Sequence, residues 1–214
     1  MSTVRESSES IVEAARWRIL GLLLERPRPG RHEEITALAC EIGDRELGEV
    51  VEAVGALGEG EYLALLGPGG MVSPREVSYR GLEDPGWVLS DVSRCYAAFA
   101  YRPRAEDPPD HVAVEAGFVG YLHLKEGLAR AEGDAEAAET TARARETFLA
   151  AHLGAIAGGL ARKLAELGAS PLAAAAVLLA ARVPATAATS VPGTDPLAGG
   201  CGAHRGACAN PVME

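Results

Sequence analysis

The chain is predicted to be an all-α protein, a single-domain helical bundle followed by a flexible C-terminal tail. Three observations carry that prediction. Hydrophobic residues make up 48% of the sequence but aromatics only 5%, so the apolar content is mostly Ala, Leu and Val, which pack helix on helix more readily than they build a sheet. Apolar residues also recur with the three- and four-residue spacing of a helix over most of the first 183 positions. Beyond Val183 the sequence "PATAATSVPGTDPLAGGCGAHRGACANPVME" keeps no apolar period, and its Pro, Gly, Ala, Thr and Ser content reads as a loosely held segment. The expected organisation is a helical domain over residues 1–183 and a tail over residues 184–214.

The first helix is expected over residues 7–25, where Val12, Ala15, Ile19 and Leu22 share a face and "RPRPG" ends the run. "HEEITALACEIG" reads as a short second helix closing at Gly43. Asp44 can cap a third, whose buried side is Leu47, Val50, Val51, Val54 and Leu57 and which continues irregularly to Leu66. In "GPGGMVSPREVSYRGLEDPG" periodicity is lost, giving a loop of about twenty residues, a length that is often functional inside a compact domain. Helix resumes over residues 87–101, with Val88, Val92, Cys95, Tyr96 and Phe99 toward the core.

The stretch "DPPDHVAVEAGFVGYLHL" opens the next helix. Asp107 reads as its N-cap, Pro108 as its first residue and Asp110 as a first-turn acid favoured by the helix dipole. That helix should reach about Arg130. After a turn at "EGDAEAA", a second long helix carries Leu149, Leu153, Ile156, Leu160, Leu164 and Leu167 as one stripe. Ser170 and Pro171 then start a last helix extending to about Arg182.

With 30 acids against 20 bases the formal net charge is −10, which disfavours binding to nucleic acid or to an anionic membrane surface. The start "MSTVRESSES" has no apolar core of a signal peptide, and "PLAAAAVLLAARVPA" is too short and alanine-rich to span a bilayer. Four cysteines, two of them isolated at Cys40 and Cys95, do not form a disulfide framework. A cytoplasmic location is expected. Phosphate-loop, dinucleotide, nucleophile-elbow and zinc-protease signatures are absent from the sequence, so the chain is not expected to be an enzyme.

Two polar constellations stand out. His111, Glu115, Phe118 and Leu122 fall in one narrow sector of a helical wheel, so the two polar groups head an apolar stripe. They can be read as a recognition site or as a capping and packing cluster, and spacing favours the latter. A metal or catalytic site there would need His152 from the other long helix, since His123 points to a different face. In the tail, "CGAHRGAC" brings Cys201, His204 and Cys208 together, donors suited to zinc or an iron-sulfur cluster but without the CxxC spacing that marks such sites. A small metal- or cluster-carrying protein is therefore the alternative functional reading.

The order of four motifs resembles the TorD-like family of cytoplasmic chaperones, which mature molybdenum oxidoreductases of the dimethyl sulfoxide reductase type. They are "EYLALLGPGG…PREVSYRG"; "RCYAAFAYRP"; Pro109-Asp110-His111 with Glu115, Phe118 and Leu122; and Phe148, His152 and Leu153. The resemblance spans residues 61–182. It implies a non-catalytic helical protein without a cofactor, monomeric or a domain-swapped dimer. Its partner would be the apo catalytic subunit of a molybdopterin oxidoreductase, its twin-arginine signal peptide, or both. Asp110 and Glu115 are the candidate contacts to a client arginine. By the same resemblance His111 would orient the hinge, and Tyr79, Tyr96 and Phe99 would wall a groove.

Overall fold

The computed structural model describes residues 2–103, 107–168 and 171–184. Among these residues the chain is all-α, with no strand. The helices are α1 (Ser2–Leu24), α2 (Arg31–Ile42), α3 (Arg45–Gly55), α4 (Glu59–Leu66), α5 (Pro85–Ala98), α6 (Val112–Glu132), α7 (Ala135–Phe148), α8 (Gly154–Glu166) and α9 (Pro171–Ala180). A 3₁₀ turn, Glu76–Tyr79, lies in the long loop before α5, and a π-helical turn, Leu149–Leu153, joins α7 to α8.

The core is organised around α1 and α6, which pack along their lengths. Nearly every residue of α6 from Val112 to Gly120 is buried, so this helix carries no broad polar face and sits inside the bundle. Glycines make the close approach possible. A Cβ at Gly120 would stand 3.0 Å from the Ala14 carbonyl oxygen, and one at Gly21 would stand 2.9 Å from that of Ala113. Ile19, Leu20, Leu22 and Leu23 of α1 meet Phe118, Val119 and Leu122 of α6 in the same core as Ile156, Leu160 and Leu164 of α8 and Leu172 and Leu179 of α9.

Asp44 caps α3 as expected, accepting from the Leu47 amide at 3.2 Å. Several expectations need correction. The third helix does not run on to Leu66, because Ala56–Gly58 interrupts it before α4. The second long helix is not continuous either: the π turn widens it at Leu149–Leu153, and Leu167, expected in its buried stripe, is exposed. The helix expected over residues 87–101 runs from Pro85 to Ala98, with Val88, Val92 and Tyr96 buried and Cys95 and Phe99 half-buried. Ser170, expected to cap the last helix, lies outside the described residues, as does most of the tail.

Candidate functional site

The loop over residues 67–84 crosses the start of α6 as a strap. Its anchor is an antiparallel bridge between Arg75 and His111, in which the Glu76 amide donates to the Asp110 carbonyl and the Val112 amide to the Pro74 carbonyl, both at 2.9 Å. The bridge holds His111 in extended backbone, so α6 can begin only after it. Asp107 is therefore not the N-cap and Pro108 is not the first helical residue; a turn closed by the His111 amide on the Pro108 carbonyl occupies that position. His111 is the N-cap, its Nδ1 accepting from the Ala113 amide at 3.2 Å. Burial holds the His111 imidazole below its ordinary value, and the neutral ring is the form that can accept.

Asp110 is fully buried. Its carboxylate accepts from Arg75 Nε at 2.9 Å and Nη2 at 2.8 Å, and from the Val77 amide at 3.3 Å. The acid expected to serve the helix dipole thus holds the strap. Glu76, also fully buried, accepts from Arg80, whose guanidinium also reaches the Ala151 carbonyl inside the π turn. His152 Nδ1 lies 3.2 Å from each Glu76 oxygen, and its Nε2 lies 3.4 Å from Asp91 on α5. Burial alone would raise the Glu76 carboxyl, but His152 and Arg80 bring it below the ordinary value.

Glu115 sits one turn into α6, fully buried, with no donor paired to either oxygen and the Glu76 carboxylate beside it. Burial, reinforced by the neighbouring Glu76 charge, pushes its carboxyl well above the usual range, so it is held in the protonated form. The sequence pattern had placed His111, Glu115, Phe118 and Leu122 at the head of one stripe, and all four are buried together.

Tyr96 and Phe99 do not open onto a groove. Tyr96 is buried, packing at 4.8 Å on Phe118 and donating its hydroxyl to the Pro109 carbonyl at 2.8 Å. Phe99 is half-buried against Phe118, and Phe118 also meets Phe148, which stacks at 4.6 Å on His152. These rings form the floor beneath the strap. Tyr79 lies apart from them, its ring against Gly159 of α8 under Lys163, its hydroxyl donating to the Ser73 carbonyl at 2.9 Å.

Sequence reasoning missed Arg75, Glu76, Arg80 and Asp91. Only the Glu76–Arg80 spacing of four was visible locally; the partners of Arg75 and Asp91 lie 35 and 61 positions away. A second buried polar cluster occupies the middle of α6. There Glu126 pairs with Arg130 at 2.7 Å and with Arg145 of α7 at 3.2 Å, and Arg145 reaches His123 at 3.0 Å. Burial, helped by Arg145, lowers His123 to about 4. The cluster lines a surface pocket with Glu6, Glu9, Ser10 and Glu13 of α1.

Among the described residues, no group of three or more His, Cys, Asp and Glu is placed to hold a metal ion. The motif Cys201, His204 and Cys208 lies outside those residues. Nor, among the described residues, is any helix long and apolar enough to cross a membrane.

No curated protein matches the chain significantly. A solved structure of a proposed redox enzyme maturation protein from Archaeoglobus fulgidus is similar at 21% identity and a TM-score of 0.45, over 64% of this chain and 93% of that one. Residues 53–162 match the family model described as the nitrate reductase delta subunit. That match takes in α4 to most of α8, the strap, and every residue of the junction from Arg75 to His152, and covers more than half of the sequence. The chain therefore belongs to the nitrate reductase delta subunit family, the TorD-like chaperones of molybdoenzyme maturation.

Proposed function

We propose that this chaperone binds the apo catalytic subunit of a molybdopterin oxidoreductase of the dimethyl sulfoxide reductase type. The same site would take its twin-arginine signal peptide, holding the client in the cytoplasm until the cofactor is inserted. Residues 1–183 form the binding unit in this reading, and binding, without catalysis, is its whole activity. One observation carries it: the strap junction places two buried acids, Asp110 and Glu115, at the start of the central helix. Where the strap runs into α5, exposed Leu82 and Trp87 flank exposed Glu83 and Asp84. Acid next to exposed apolar surface is complementary to a basic, partly apolar segment.

In this reading His111 fixes the angle between strap and α6, and Phe118, Tyr96, Phe99 and His152 give the acids a rigid floor. Tyr79 holds the far side of the strap. The test is genetic and biochemical. Deleting the chaperone should lower the activity and molybdopterin content of one such oxidoreductase, and the tagged chaperone should capture that enzyme in its apo form. Unchanged activity and cofactor content in every molybdoenzyme of the cell would exclude the reading.

A further inference from the structure

The strap meets α6 in the way a bound peptide would. It contributes one guanidinium, Arg75, to a buried carboxylate, and two backbone hydrogen bonds of an antiparallel bridge. Those are the contacts that an extended basic segment from another chain makes when it adds to an exposed backbone edge. The exposures are unequal: the Asp110 side chain is 0% exposed and that of Arg75 is 36%. Arg75 thus covers Asp110 from solvent. Next to it Glu115 is fully buried, with no donor paired to either oxygen and the Glu76 carboxylate beside it, an arrangement that costs stability where it stands and supplies a second acid within the same turn region.

We infer that residues 73–77 are an internal ligand. In the free protein they occupy the client's cation site, and a segment with two adjacent basic residues binds by expelling Arg75, one guanidinium going to Asp110 and the other to Glu115. This inference rests on the client reading above. Once the strap is lifted, Glu115 gains both solvent and a cation, which favour its carboxylate. Its proton leaves to the buffer. The strap is led in by "GPGG" at 67–70, a turn-forming sequence, and is anchored at its far end by Asp84, which caps α5.

The experiment is calorimetry of the full chain with a synthetic peptide carrying two adjacent arginines followed by apolar residues. Arg75→Ala should tighten binding about tenfold, the worth of one charge-assisted hydrogen bond pair that no longer competes. Asp110→Asn should abolish binding, and near neutral pH the measured heat should depend on the buffer's ionisation enthalpy, reporting proton release from Glu115. On the wild-type protein, saturating peptide should speed hydrogen exchange at the Glu76 amide. That readout decides the matter if Arg75→Ala does not fold. Equal or weaker peptide binding by Arg75→Ala, or slower exchange at Glu76, overturns the internal ligand while leaving client binding intact. No peptide binding by either protein overturns it as well, and the client reading then stands or falls on capture of the apo enzyme.

Discussion

The two buried polar clusters of α6 are built from the same residue types and differ in where their arginines come from. In the middle of the helix, Glu126 is neutralised by Arg130 of its own helix and Arg145 of α7, both on elements fixed by the core. At the helix start, Asp110 is neutralised by Arg75 of the strap, the strap carries its own Glu76–Arg80 pair, and Glu115 faces the Glu76 carboxylate with no cation hydrogen-bonded to it. A buried acid paired from rigid helices is part of the scaffold. One paired from a loop can change partners when the loop lifts, a motion that here also withdraws the buried Val72 and Glu76.

The largest expected effect falls on the rigid cluster. Glu126→Ala leaves two arginines near each other without their shared acid, and should cost about 3 kcal/mol in chemical denaturation. Asp110→Ala should cost about 1–2 kcal/mol, because the freed Arg75 can turn to water. Equal losses would erase the distinction between the clusters.

Glu115→Gln should act in the opposite direction. The native carboxyl is raised above its unfolded value, so its contribution to stability is full below about pH 4.3 and is lost as pH rises toward the native value. The glutamine variant does not titrate, and its amide can donate to Glu76. It should match the wild type near pH 4.5 and exceed it by about 1–2 kcal/mol at pH 8. A constant difference across that range in thermal melts would show that Glu115 is not held protonated.

His123 gives the converse slope. Its native value of about 4 lies below the ordinary 6.5, so the stability it contributes is present above pH 6.5 and disappears as pH falls toward 4. His123→Gln should flatten that part of the melting curve. The smallest effect is expected for Tyr79→Phe, which removes only the hydroxyl bond to Ser73 and should cost about 0.5–1 kcal/mol, with faster exchange confined to the strap.

The helices, the α3 cap and the buried stripe from His111 to Leu122 were legible in the sequence because they depend on residues three or four apart. What lay hidden depends on contacts across the chain. Asp107 and Pro108 carry good capping chemistry, but the bridge to Arg75 outweighs it and moves the helix start to Val112. Tyr96 and Phe99 were correctly read as inward-facing, yet nothing local showed that Phe118, Phe148 and His152 would close over them. The π turn that brings His152 to Glu76 has no signal in "FLAAHLGA", where the residues suit an ordinary helix.

The most direct test of the account compares capture of the apo molybdoenzyme by Asp110→Asn and Glu126→Gln, with helicity monitored by circular dichroism. Asp110→Asn is expected to keep its helical signal and lose the client, whereas Glu126→Gln keeps the client despite a lower melting temperature. Client capture by Asp110→Asn at the wild-type level would contradict it.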